Sequence, residues 1–287
     1  MSDPILPPQL LVILGSDSDK KYVKEPVLDR IYAAANASKG QWNEWEVEFD
    51  IASAHRSPEL VRKICKESKS QKTVMVLAIG GAAFALPGVM ASELAYLPVC
   101  SLPLDEKEKN VPFVSAACLP PGTPAPSFNT NDYESAATYM INYMDEIVPI
   151  LAQKPQFSVC FETNSNREKI TKTFQSMAPA YGINYDIGVG IDLSLDVMQS
   201  SVSLKSGMGS HRILVIDIKE TDLKQYSTAP IIARPGTEKN AVLHIARMLA
   251  PWRPEVQKAL LQFADENYEK VVAADKKLRA EYNMPQR

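Results

Sequence analysis

Three short stretches of this 287-residue chain hold residue types that can do chemistry on a small ligand. SAHRSP carries His55, one of three histidines in the sequence, flanked by Ser53, Ala54 and Arg56. An imidazole titrates near neutrality and can both take and give a proton. An arginine fork beside serine hydroxyls suits an anion. GSDSDKK offers Gly15 for a tight turn, then Ser16, Asp17, Ser18 and Asp19 where a helix should begin. Hydroxyls and free N–H groups at such a place can hold a phosphate. GGAAFALPG presents Gly80, Gly81, Ala82 and Ala83, followed by Leu86. Backbone with so little side chain lets a flat ligand approach closely.

Each stretch also has a plain structural use. Ser16 and Ser57 are ordinary helix caps, Pro58 suits a first turn, and glycines permit tight helix–strand packing. The elements around them decide between the two uses. Leu10 to Leu14, Glu46 to Ala52, Val74 to Ile79 and Leu97 to Pro103 read as strands. Ser18 to Ala35, Pro58 to Ser68 and Tyr133 to Leu151 read as helices. Apolar runs separated by helices are the pattern of a parallel sheet covered on both faces. The three stretches then follow the first, second and third strands, at the end of the sheet where such folds gather ligands. That convergence favours a small phosphorylated ligand and one proton-transfer group.

Composition narrows the alternatives. A net charge of −3 argues against broad capture of nucleic acid or anionic membrane. Val74 to Ser92 lacks charge, but Gly80, Gly81, Pro87 and Gly88 interrupt it, so a buried strand, loop and helix start are expected rather than a span. The opening MSDPILPPQ has no basic segment, and no signal peptide is expected. Cys65, Cys100, Cys118 and Cys160 form no CxxC pair, and read as reduced thiols of a cytoplasmic protein. His211 and His244 lie beside or within elements and read as structural, and Leu119 to Pro126 as a rigid loop. The last helix, Glu255 to Tyr282, has Val256, Leu260, Phe263, Val271, Ala274 and Leu278 near helical spacing, which suits packing or an oligomer contact.

The layout repeats. Phe157 to Ile170 parallels Leu10 to Val23, and Ile183 to Val197 parallels Val47 to Val61. Arg212 to Ile218 and Ala229 to Pro235 stand where the third and fourth strands stood, and Asn240 to Leu249 echoes the final helix. Two α/β domains with parallel sheets are therefore expected, residues 1–154 and 155–287, as a tandem duplication. The second copy lacks the Ser, His, Arg and glycine-rich groups, so a scaffold role is expected for it.

In order, GSDSD, SAHRSP and GGAAFALPG resemble the aminoimidazole ribonucleotide carboxylases, a family that includes the N5-carboxyaminoimidazole ribonucleotide mutases of purine biosynthesis. The resemblance covers residues 10 to about 150. It implies flavodoxin-like three-layer domains that form or unmake 4-carboxy-5-aminoimidazole ribonucleotide without metal or organic cofactor. On these positions, Ser16, Asp19 and Arg56 match residues that hold phosphate and ribose, with Ser53 in the same pocket. His55 matches the histidine that moves the proton at C4 of the imidazole, and the glycine-rich loop encloses the ring and carboxyl group. The family's octamers imply a homotetramer here, forming a pseudo-octamer. Phe84 and Ala85 stand where bacterial mutases carry a histidine, and ADKKLR (Ala274 to Arg279) is similar to the animal-type carboxylases. Direct carboxylation and rearrangement of the N5-carboxylated compound both stay open, with a catalytically silent ribonucleotide-binding relative as the alternative. A stretch from Asn36 to Trp45 lengthens the first connection relative to the family.

Overall fold

A computed structural model describes residues 7–70, 72–81, 84–105, 111–153, 172–173, 175–182, 197–198, 213–216, 230–233 and 238–285. Its first half is a parallel sheet of β1 (Gln9–Leu14), β2 (Glu46–Ile51), β3 (Thr73–Gly81) and β4 (Val99–Leu104), in the order β2-β1-β3-β4. This is the arrangement expected from the four apolar runs, and over these strands it matches the flavodoxin-like order. The chain leaves β1 for one side and returns to the other. A crevice therefore opens above the carboxyl ends of β1 and β3, where the order reverses.

Alternation along β1 builds the layers. Leu10, Val12 and Leu14 enter one core, while Leu11 and Ile13 enter the other on the opposite face. α3 (Pro58–Ser70) and α4 (Leu86–Glu93) cover the second face through Val61, Ile64, Cys65, Met90 and Ala91. The first face is covered by α1 (Lys20–Val23), α2 (Arg30–Ser38), α6 (Tyr133–Asn142) and α7 (Val148–Ala152). α5 (Val111–Ala117) follows β4. Between α1 and α2 the helix widens to a π turn, Lys24–Asp29, at Pro26, whose missing N–H cannot continue the α ladder. One expectation fails in part: β2 is not covered on both faces. It lies at the sheet edge, alternates acids with apolar residues, and leaves Phe49 and Ile51 exposed.

The long first connection has a structural use. Gly40 turns the chain in the left-handed region (φ 73°), and Trp45 is fully buried with its Nε1 donating to Asp145 Oδ1 at 2.7 Å. Asn43 Nδ2 donates to the Asp145 carbonyl at 3.3 Å. The connection thus pins β2 to the turn before α7.

The second half is described in part. β5 (Val197–Met198), β6 (Ile213–Ile216) and β7 (Ile231–Ala233) form a parallel sheet in that order, followed by α8 (Glu238–Leu249) and α9 (Pro254–Glu281). β6 and β7 fall where the repeat places counterparts of β3 and β4. Val197, aligned by the repeat with the start of α3, instead pairs with Ile213 as a strand. Residues 157–170, most of 183–197, His211 and Cys160 lie outside the described residues. Buried residues of α8, with Val256 and Leu260 of α9, belong to the same core as the first face of the sheet. Among the described residues no helix is long and apolar enough to cross a membrane.

Candidate functional site

At the carboxyl ends of the first four strands lies a cavity of about 830 Å³. Gly15, Ser16, Ser18, Asp19, Ser53, Ala54, His55, Arg56, Gly80, Gly81 and Leu86 all line it. Three loops separated by many residues are thus brought together by strand order alone. Asp17 shares the first turn but does not line the cavity. Ala82 and Ala83 lie outside the described residues.

The first loop is set by capping. Ser16 is extended (φ −157°, ψ 149°), and its Oγ accepts from the Ser18 N–H at 3.3 Å. The Ser16 and Ser18 hydroxyls lie 2.8 Å apart, so both are held at the cavity's edge. Gly15 N–H donates to the Ile79 carbonyl at 2.8 Å, which carries the sheet ladder to the loop's first residue.

In the second loop, Ser57 stands where the cap was expected, but its hydroxyl closes the loop rather than the helix. Its Oγ accepts from Ser53 N–H at 2.9 Å, and its carbonyl accepts from Leu60 and Val61 as α3 begins. Capping and presentation are not exclusive here. With Ser57 closing the turn, Ala54, His55 and Arg56 stand at its crest, and His55 and Arg56 are exposed. Arg56 Nη2 donates to the Gly15 carbonyl at 3.2 Å, joining the second loop to the first, while Arg56 N–H donates to Ser53 Oγ at 3.3 Å.

The third loop is shaped by two close approaches. A Cβ on Gly81 would stand 2.9 Å from the Leu104 carbonyl oxygen, a backbone atom that cannot step aside. A Cβ on Gly80 would meet the Phe84 ring edge at 2.9 Å. Phe84 is almost fully buried and packs with Leu86 over this floor. The Phe84 ring is therefore part of the cavity wall.

A fourth wall was not foreseen. Leu104 and Asp105 at the end of β4, with Asn131 and Tyr133 at the start of α6, also line the cavity, as do Tyr22, Phe84 and Ala85. Asn131 has a left-handed backbone (φ 60°). Its Oδ1 accepts from Asp105 N–H at 3.1 Å and from the Tyr133 hydroxyl at 3.2 Å, and its Nδ2 donates to the Asp105 carbonyl at 2.9 Å. Burial, and secondarily the neighbouring Tyr22, raises the Tyr133 phenol above its ordinary pKa. Asp105 could have been found by the rule that selected the other loops, since it follows a strand. Asn131 and Tyr133 carry no motif.

The arrangement offers Arg56, His55 and serine hydroxyls with the Asp19 carboxylate at the β2–β1 end, bare backbone and an apolar ring over β3, and Asp105, Asn131 and Tyr133 beyond β4. Among the described residues, no group of three or more His, Cys, Asp or Glu side chains could hold a metal ion.

Comparison with known proteins adds independent information. The family model described as AIR carboxylase matches residues 9–154. The N5-carboxyaminoimidazole ribonucleotide mutase of Methanocaldococcus jannaschii is 35% identical over 166 residues, covering 57% of this chain and 90% of that protein. The mutase of Saccharolobus solfataricus is 30% identical over 149 residues, 51% of this chain and 87% of its own length. That of Pyrococcus abyssi is 28% identical over 151 residues, 51% and 79%. Among solved structures, Treponema denticola PurE aligns with a TM-score of 0.36 at 15% identity, covering 59% of this chain and 98% of that one. On the match across residues 9–154, which hold every lining residue of the cavity, the chain belongs to the AIR carboxylase family.

Proposed function

We propose that this chain forms 4-carboxy-5-aminoimidazole ribonucleotide in purine biosynthesis, by rearranging the N5-carboxylated ribonucleotide or by adding carbon dioxide to aminoimidazole ribonucleotide. The observation that carries the reading is the meeting of His55, Arg56, Ser16 and Ser18 with Gly80 and Gly81 around one cavity. The named relatives are mutases, so the N5-carboxylated compound is the first substrate to assay.

The chemistry suits these groups. With the N5-carboxylated compound, the N5–carbon bond first breaks as the nitrogen takes a proton, releasing carbon dioxide into the pocket. C4 of the electron-rich aminoimidazole ring then attacks that carbon dioxide, or one supplied from solution, forming the new carbon–carbon bond. The C4 proton must then leave, and His55 on its exposed crest takes it. Arg56 with the Ser16, Ser18 and Ser53 hydroxyls holds the phosphate, and Asp19, beside Gly15 and Gly80, takes the ribose. Leu86, Leu104 and Phe84 keep water from the reacting carbon. A positioned acid–base contributes ~10²- to 10⁴-fold, and orientation in the closed site supplies much of the rest. His55→Asn should lower turnover by that ~10²- to 10⁴-fold while ribonucleotide binding, read by calorimetry, stays within a few-fold; near-normal turnover would refute the assignment.

The same reading makes residues 155–287 a degenerate second copy and the protein a homotetramer forming a pseudo-octamer. β6, β7 and α8, at the positions the repeat assigns, support the duplication. The unbridged thiols of Cys65 and Cys100 support a cytoplasmic setting.

A further inference from the structure

We infer that Asp105 and Tyr133 form an acceptor subsite for the exocyclic nitrogen of the heterocycle, and that Asn131 positions both. The inference rests on the ribonucleotide reading above and adds the contact that recognises the base. Its starting point is the polarity of the cavity. At the β2–β1 end stand Arg56, His55 and the hydroxyls of Ser16, Ser18 and Ser53. Those groups can all donate to an anion, and the Asp19 carboxylate stands beside them near Gly15 and Gly80. Two strand spacings further, about 10 Å across β3 to β4, the polar wall is Asp105, Asn131 and Tyr133.

The hydrogen bonds fix what this wall can offer. Asn131 Oδ1 already accepts from Asp105 N–H and the Tyr133 hydroxyl, and Nδ2 already donates to the Asp105 carbonyl. The Tyr133 proton is thus spent on Asn131, and its oxygen has only lone pairs for a ligand. The carboxylate oxygens of Asp105 serve a ligand as acceptors. Both groups therefore select a donor, and the nitrogen on the ring of an aminoimidazole ribonucleotide, or its N5-carboxylated form, is an N–H donor. A left-handed backbone at a non-glycine residue is uncommon, and Asn131 adopts it while bonding back to β4 at three points, its own N–H donating to the Pro103 carbonyl at 2.9 Å. The clamp holds α6 against the strand end, so the distance between Asp105 and Tyr133 is set by Asn131.

Calorimetric titration with two probes tests this: aminoimidazole ribonucleotide, and ribose 5-phosphate, which keeps the sugar and phosphate but lacks the ring. Asp105→Asn exchanges one acceptor oxygen for a donor with little change of shape. It should weaken the ribonucleotide roughly 10- to 100-fold and leave ribose 5-phosphate within about twofold of the parent. Tyr133→Phe should act in the same direction, by less. Asn131→Gly keeps the left-handed backbone and deletes the clamp; it should weaken the ribonucleotide, and the Asp105→Asn/Asn131→Gly pair should lose less than the sum of the two single losses, because both act through Asp105. Equal loss of both probes in Asp105→Asn, or loss of neither, overturns the subsite. Unaltered protein that binds ribose 5-phosphate but not the ribonucleotide refutes the substrate reading itself, and the subsite with it.

Discussion

Gly81 and Gly80 are neighbours in sequence and in the cavity floor, yet the atoms a side chain would meet differ in kind. At Gly81 a methyl group would lie 2.9 Å from the Leu104 carbonyl oxygen. The strand end must move, and Asp105 with it. At Gly80 the nearest atoms belong to the Phe84 ring, which can tilt. Gly81→Ala should cost about 1–3 kcal/mol and disturb ligand binding, whereas Gly80→Ala should cost less in stability; urea unfolding of the two variants checks the order, and equal losses would contradict it. The contrast also shows what was legible at this scale. GGAA announces a close approach, but not whether a ligand or a backbone is the partner, and at Gly81 the partner is β4. His55 was legible because SAHR is compact in sequence. The Asn131 clamp was not, because it joins positions 26 residues apart through ordinary turn chemistry.

At the scale of elements, strands β1, β3 and β4 follow directly from their apolar runs, and α2, α3, α6 and α9 from periodicity, whereas α5 was not foreseen. What periodicity does not carry is company. α9 shows this best: Val256 and Leu260 bury in the core, and the same stripe continues through Val271 and Leu278, which are 69% and 56% exposed. Sequence reads one amphipathic helix, and only packing tells which of its turns has a neighbour. From Asp265 the helix holds Asp265, Glu266 and Glu269, with Lys270, at its near end, and Lys276, Lys277 and Arg279, with Asp275 and Glu281, at its far end. A second copy laid antiparallel would set the mainly acidic end against the mainly basic end along an apolar seam, which fits the homo-oligomer proposed above. Val271→Asp lies at an exposed position and should change the stability of a single chain by less than about 0.5 kcal/mol. It should nonetheless shift the assembly to a smaller species in sedimentation velocity; an unchanged sedimentation profile would rule out this stripe as the seam.

Across the whole molecule, α8 couples the two halves through polar groups buried in an apolar setting. Asn240 Oδ1 accepts from Gly122 N–H at 2.7 Å, and its Nδ2 donates to the Pro120 carbonyl at 3.1 Å, pinning the 119–123 loop of the first half. Arg247 Nη1 donates to the Ala91 carbonyl at 2.8 Å, with burial lowering the guanidinium to about 9. His244, between them, is fully buried, and neither ring nitrogen has a hydrogen-bond partner. Burial first, then the Arg247 charge, lowers its pKa from 6.5 to about 3. The unfolded chain therefore binds a proton that the folded chain refuses throughout that window. The resulting contribution is fully present above the unfolded value and is lost as pH falls from about 6.5 toward 3, at up to about 1.4 kcal/mol per pH unit. His244→Leu removes both the proton site and a pair of unpartnered polar atoms, so it should flatten the decline between pH 7 and 5, where carboxylates of ordinary pKa still stay mostly ionised. Below pH 6 the variant should be the more stable protein. Urea unfolding of both proteins at each half pH unit reads this directly, and parallel curves would show that α8 does not carry the acid sensitivity of the molecule.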